Sequence, residues 1–192
     1  SEINTEKFEI SNKTGYVFPD MPYQSIGFQN SFQSHNQESY FGFNQYDVDQ
    51  KSYYSNLLFS SIINNTKNKF TTGVNFTYDK YKEFVAVNFA KDFSRVDNSV
   101  GAFFEYDYDN LDNFQVVAGI RVDNHNRLGT FVTPRIHIRY NPWKDAVIRA
   151  SAGRGKRAAN IFAENQQLLA SNRDFSILNN DGKLYGLNPE IA

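Results

Sequence analysis

The run Phe114-Gln115-Val116-Val117-Ala118-Gly119-Ile120-Arg121-Val122-Asp123 decides the fold. Its even positions (Phe114, Val116, Ala118, Ile120, Val122) are all apolar. Its odd positions put Gln115, Gly119, Arg121 and Asp123 on the other side, with Val117 among them. A period of two separates the two classes onto opposite faces of an extended chain. The pattern continues. Val132, Pro134, Ile136, Ile138 and Tyr140 alternate with Thr133, Arg135, His137, Arg139 and Asn141. Ala146, Ile148, Ala150 and Ala152 alternate with Val147, Arg149, Ser151 and Gly153. Such contrast belongs to antiparallel strands whose two faces meet different surroundings.

Upstream the alternation is looser. The expectation is an all-β antiparallel meander of about eight strands, at about 23–33, 38–48, 52–63, 69–79, 98–108, 113–124, 130–141 and 145–153, with a long loop over 154–192. The connections at Gln33–Gln37, Asn64–Asn68, Tyr108–Asn113 and Asn141–Asp145 are short and rich in turn residues. Those at Lys80–Asn98 and after Gly153 are long. Tyr106, Tyr108, Phe114, Tyr140 and Trp143 gather near the short turns. Short turns at one end, long loops at the other and an interfacial girdle of aromatics are features of transmembrane β-barrels of the outer-membrane type.

Composition narrows the classes. The chain has 192 residues, 20 Lys plus Arg against 21 Asp plus Glu, and a net charge of -1, so it lacks the basic excess of a nucleic-acid binder. With no cysteine it has no disulfide, thiolate metal site or cysteine nucleophile. Its 18 Phe, 12 Tyr and 1 Trp stand beside 23 Asn, a mixture that strand alternation accommodates by giving each face one class. No apolar run approaches the roughly 20 residues of a spanning helix. No charged-then-apolar leader opens the chain.

The competing architecture is a soluble antiparallel β-domain that binds glycan or protein through exposed aromatics. Two features oppose it. Ala146, Ile148, Ala150 and Ala152 are small for a sandwich core, whereas lipid fills the gaps that a packed interior cannot. The polar faces also carry a row of one sign: Arg121, Arg135, Arg139 and Arg149, with His137.

A series of short motifs is more specific. Gly119-Ile120-Arg121-Val122-Asp123 is followed by Thr133-Pro134-Arg135, Tyr140-Asn141-Pro142, then Arg149 to Gly153, and finally Leu187-Asn188-Pro189-Glu190. In this order, over about residues 116–190, the chain resembles the β-barrel of TonB-dependent outer-membrane receptors. The resemblance implies a barrel of about 22 strands closed by a separate plug domain. It implies import of a scarce nutrient (an iron chelate, haem, cobalamin, a metal or an oligosaccharide) through the outer membrane of a Gram-negative bacterium. Expected partners are the plug of the same parent chain, an energy-transducing inner-membrane complex acting through the missing N-terminal part, surrounding lipid and the nutrient, which is not identified. No nucleic-acid partner and no cofactor are expected. With neither plug nor energy-coupling box, the sequence reads as a piece excised from a larger receptor.

Within that frame Arg121, Arg135, His137, Arg139 and Arg149 are candidates for the lumen lining, where they dock the plug, steer an anion or pair across strands. Arg154, Arg157 and Arg173 lie past the last strand and are candidates for ligand contact from an outer loop. Residues 158–170 carry one-turn apolar spacing and are expected to form a short loop helix. Gly153-Arg154-Gly155-Lys156-Arg157-Ala158 fits a dinucleotide fingerprint in letters only, because the strand before it alternates and no βαβ unit surrounds it. Asp107 to Asp112 lacks the glycine and distal glutamate of a calcium loop and is read as an acidic turn. His35, His125 and His137 share no metal-ligand spacing. No catalytic constellation is present, and the chain is not expected to be an enzyme.

Overall fold

The computed structural model describes residues 1–87, 90–156, 158, 160–170, 177–178 and 190–191. Eight strands form one open sheet in the order β1-β2-β3-β4-β5-β6-β7-β8. They are β1 Glu2–Phe18, β2 Met21–Phe41, β3 Asn44–Ile63, β4 Asn65–Ala86, β5 Ala90–Asp109, β6 Phe114–His125, β7 Gly129–Trp143 and β8 Ala146–Gly153. Every neighbouring pair is antiparallel, so the sheet is an unbroken meander. Two short helices, α1 Ile161–Glu164 and α2 Gln166–Leu169, and a two-stranded ladder of β9 Ile177–Leu178 with β10 Glu190–Ile191 follow.

The register assigns the faces. Val100, Ala102, Phe104 and Tyr106 of β5 share a face with Val122, Ile120 and Ala118 of β6 and with Val132, Pro134 and Ile136 of β7. On β4 the same face is apolar from Phe70 to Tyr78, broken only by Thr72. A stretch of this length matches the roughly 9–11 tilted residues that carry a strand through a bilayer. These side chains are not folded away: Ile120 is 50% exposed, Ile136 40%, Val100 59% and Ile148 57%. Among the described residues no second layer covers them, which removes the sandwich as an account of this face. We call it the outer face.

The opposite, inner face is polar. It also receives the chain after β8, where Phe162 and Leu169 join Tyr46, Val48, Val85 and Phe93 in a small buried cluster. That cluster lies at the end of the sheet opposite the turn at Asn64.

The first half of the chain departs from the expected segmentation. Residues 33–37, expected as a turn, lie inside β2, and Gln33 and Gln37 pair with Ser52 and Val48. The turn falls instead at Gly42, whose φ of +68° is the left-handed backbone that glycine tolerates. The expected strand 38–48 is therefore split between β2 and β3. The strand β1 lies ahead of the first expected strand, which begins at about residue 23. The long loop expected over Lys80–Asn98 is largely ladder, from Lys80↔Val96 to Ala86↔Ala90. Beyond the apolar band the outer face of β2 to β5 turns mostly polar and the inner face mixes polar residues with the buried cluster, so periodicity fades while backbone pairing continues. At about 3.4 Å per residue, Lys80 to Ala86 lifts this part of the wall roughly 20–25 Å above the band. The later strands end lower, at the β6–β7 turn around Gly129. The wall is therefore tall over β2–β5 and short over β6–β8.

Candidate functional site

The step in the wall holds the richest cluster of polar side chains. On β6, Arg121 and Asp123 are two residues apart and so share the inner face. Nε of Arg121 donates to both oxygens of Asp123, at 2.9 and 2.7 Å, and Nη2 donates to Oδ1 at 2.7 Å. On β5, Arg95 and Asp97 repeat the spacing, with Nε 3.0 Å from Oδ2 and side chains only 5% and 8% exposed. Arg127, from the β6–β7 turn, reaches Asp97 Oδ1 at 3.3 Å. Asn126 locks this turn to β5: its amide donates to the Val96 carbonyl at 2.8 Å and accepts from the Asn98 N–H at 3.1 Å.

An aromatic layer lies above. The Arg95 guanidinium sits 4.2 Å from the ring centre of Tyr81, a cation–π contact. The Tyr81 hydroxyl accepts from Gln50 at 3.3 Å, and Ser52 donates to Asp79 at 2.5 Å. Burial, together with the Asp79 carboxylate, pushes the Tyr81 phenol above its ordinary value, so it stays a neutral hydroxyl. A cavity of about 380 Å³ opens among Tyr81, Arg95, Asp97, Arg121, Phe131 and Lys156. A second, of about 340 Å³, extends below it between Tyr54, Phe103, Arg121 and Arg135. Arg121 and Arg154 line both.

The chain leaving β8 crosses the inner face above these cavities. The Arg154 N–H donates to the Pro134 carbonyl at 3.0 Å. Lys156 Nζ lies 5.2 Å from the Phe131 ring centre and 3.4 Å from the Leu128 carbonyl. Asn160 caps α1 by accepting from the Ala163 N–H at 3.1 Å, and its amide donates to Glu83 Oε1 at 2.9 Å. Tyr46 also donates to that oxygen, at 2.7 Å. Phe162 stacks on Phe93 at 5.4 Å, and Asn44 donates to the Leu169 carbonyl at 2.6 Å. The expected helix over 158–170 is thus two short turns, anchored on the tall side of the wall.

The candidates named from sequence fall into three groups. Arg121, Arg135, His137, Arg139 and Arg149 all lie on the inner face, and Arg135 pairs with Glu105. Arg139 and Arg149 are direct cross-strand partners beside a cavity of about 440 Å³. Arg154 borders the upper cavities, whereas Arg157 and Arg173 lie outside the described residues. The aromatics gather at the short-turn end. The Tyr108 and Phe114 rings are 6.4 Å apart, Phe114 registers with Tyr140, and Trp143 is 67% exposed. Tyr106 donates to Asn68. The acidic turn is closed by its own side chains. Asn110 Oδ1 accepts from the N–H groups of Asp112, Asn113 and Phe114, and Asp109 accepts from Leu111. Among the described residues no group of His, Asp or Glu could hold a metal ion.

Sequence reasoning missed Tyr81, Arg95, Asp97 and Arg127. A signal existed. Arg95-Val96-Asp97-Asn98 repeats as Arg121-Val122-Asp123-Asn124 on the neighbouring strand.

Comparisons with known proteins agree with this architecture. A family model described as "TonB dependent receptor-like, beta-barrel" matches residues 5–192. Among solved structures, the copper transporter OprC aligns at TM-score 0.55 and 12% identity over 78% of this chain and 29% of its own. The alcaligin outer-membrane receptor FauA of Bordetella pertussis aligns at TM-score 0.57 and 12% identity, over 78% of this chain and 28% of its own. The chain therefore spans less than a third of either structure, and at this identity the likeness is one of fold. No curated protein sequence matches it.

Proposed function

The chain belongs to the TonB-dependent receptor β-barrel family, and on that premise we propose that it forms one sector of the wall of a nutrient-import receptor in a Gram-negative outer membrane. The two-faced sheet carries this reading. Its outer face is an apolar band about as long as a bilayer-spanning strand, its inner face is largely polar and charged, and aromatics border the short-turn end. In this reading the short turns face the periplasm and the tall β2–β5 wall projects outside the cell. The upper cavities then sit on the path of an entering ligand.

No residue of this sector is assigned a catalytic role. Its side chains bind, orient and exclude. Arg154, Lys156 and Phe131 meet the ligand at the mouth. Arg121–Asp123 and Arg135–Glu105 are positioned lower. Their paired charges keep the lumen hydrated while leaving guanidinium hydrogens free for the ligand. The parent chain supplies a plug that closes the lumen, and the inner-membrane complex acts on that plug to open it. The transported compound is a small nutrient, and we assign no narrower class.

Site-directed spin labels test the wall. Single cysteines at Val116, Ile120 and Ile136 of the complete receptor in lipid should collide with oxygen and resist a water-soluble nickel chelate. Labels at Val117, Thr133 and Ser151 should show the reverse. Equal accessibility on the two faces would remove the transmembrane reading.

A further inference from the structure

The strand cations divide unequally between the two faces. Lys13, Lys69, Arg95, Arg121 and Arg135 all share the inner-face parity. Among the described strand residues only Lys51 of β3 and Lys80 and Lys82 of β4 stand on the outer face, and they are contiguous. Lys51 and Lys80 are direct register partners in the middle of the sheet, flanked by Ser34 and Val96. Lys82 occupies the next outer row, opposite Asp49, the one acid beside all three. Asp47, which accepts from the Ser39 N–H and from Gln45, lies a further row out, as does Asp92.

The floor beneath the lysines is aromatic. Tyr53 and Tyr78, two residues nearer the band on the same strands, are register partners, with Phe32 next to Tyr53. The Tyr53 and Phe76 rings are 6.3 Å apart. Leu57, Val74 and Val100 continue the apolar surface below. The outer face of this part of the wall therefore runs from apolar through aromatic to cationic. The rim at the short turns, with Phe114 and Tyr140, has no outer-face lysine or arginine on its described strands.

We infer that Lys51 and Lys80, with Lys82 at their border, form a seat for the anionic phosphate of a lipid in the leaflet around the tall end of the wall. The inference rests on the wall-sector reading and adds a ligand on the face turned away from the lumen. Side chains of direct cross-strand partners start about 4.5–5.5 Å apart, so both ammonium groups reach one phosphate. Each ammonium serves phosphate as a point charge, while its stem lies along the aromatic floor. The floor argues for a lipid over a soluble anion. Acyl chains cover the Phe76 and Val74 surface while the headgroup meets the lysines, whereas a free anion uses only the charge.

Native mass spectrometry of the complete receptor in neutral detergent tests this, with phosphatidylglycerol and phosphatidylcholine of matched acyl chains as probes. The receptor should retain phosphatidylglycerol in excess. Lys51→Gln with Lys80→Gln should cut that excess roughly fivefold or more. Lys51→Arg with Lys80→Arg should keep it, and the inner-face pair Lys13→Gln, Lys69→Gln should leave it unchanged. An undiminished excess in the first pair, or an equal loss in the inner-face pair, overturns the seat. Displacement of the lipid by inorganic phosphate would assign the lysines to a free anion and overturn it too. A spin label at Val74 in vesicles reports the wall itself. Lipid exposure there with an unchanged lipid preference overturns the seat alone, and water exposure there overturns the wall sector and the seat together.

Discussion

Gly101 and Asp123 are register partners on β5 and β6, and the carboxylate of Asp123 lies where a Gly101 side chain would be: a Cβ there would meet Oδ1 at 2.2 Å. The Asn75 amide oxygen approaches the same point, at 2.7 Å. The missing side chain lets Asp123 lean across the strand while both its oxygens hold Arg121.

Gly101→Ala is therefore expected to displace Asp123 and open its bridge to Arg121. Overpacking of this kind costs about 1–3 kcal/mol. Urea unfolding of the receptor in lipid vesicles should show a loss within that range. An unchanged midpoint would mean that the carboxylate moves aside freely.

The two faces predict opposite responses to one substitution. Ile120→Arg places a guanidinium in the lipid-facing band and should cost about 2–4 kcal/mol. Val117→Arg, on the inner face opposite Asp107, should cost little, because the new cation meets water and an acid. Equilibrium folding of both variants into vesicles measures the difference. Similar losses from the two would show that the faces are not distinguished by lipid.

The tail crossing the inner face is held by Phe162, which is 6% exposed and packs on both Phe93 and Tyr46. Burial of such a ring is worth about 1.5–3 kcal/mol. Phe162→Ala should accordingly raise protease cleavage or hydrogen exchange within residues 154–169 by roughly tenfold or more, since 1.4 kcal/mol is a factor of ten. Protection in the band-spanning part of β6 and β7 should not change. Glu83→Gln keeps an acceptor for Tyr46 and Asn160 and should loosen the tail far less than Phe162→Ala.

What the sequence made legible follows from what surrounds each strand. Phe114–Asp123 and the segments after it are readable because one face is an apolar band and the other is polar, so the two classes alternate along each strand. In residues 34–51 and 79–98 polar Ser34, Asn36, Lys80 and Lys82 occupy the outer face, while the tail buries Tyr46, Val48, Val85 and Phe93 among polar neighbours on the inner face, and the contrast is erased. Hydrogen bonding continues regardless, and β2 to β5 run on unseen. The same holds for the site. Arg121 and Arg135 were visible as odd positions in alternating strands, while Arg95 lies in a stretch expected to be loop. Its role depends on Arg127 arriving from a turn and on Tyr81 from the adjacent strand, proximities that only the register supplies. The contact of Phe162 with Phe93 joins residues far apart in the chain and has no local signature.

The Arg95–Asp97 pair provides the sharpest test of the upper site. Both side chains are more than nine-tenths buried, and Asp97 also serves Arg127, whose side chain is 20% exposed. Breaking a buried pair from one side strands the remaining charge, which costs about 3 kcal/mol or more. Asp97→Asn keeps the shape and one acceptor but removes the countercharge, so it should destabilise the receptor by about that amount. Arg127→Gln should cost less than about 1 kcal/mol, because its charge is partly hydrated. The double variant Arg95→Gln, Asp97→Asn should recover part of the loss, since the more deeply buried Arg95 charge is removed together with its countercharge and only the partly exposed Arg127 loses a partner. A double-mutant cycle on chemical unfolding measures this coupling. Strictly additive losses would show that the two charges are solvated independently and that the upper cavity is wetter than its burial implies.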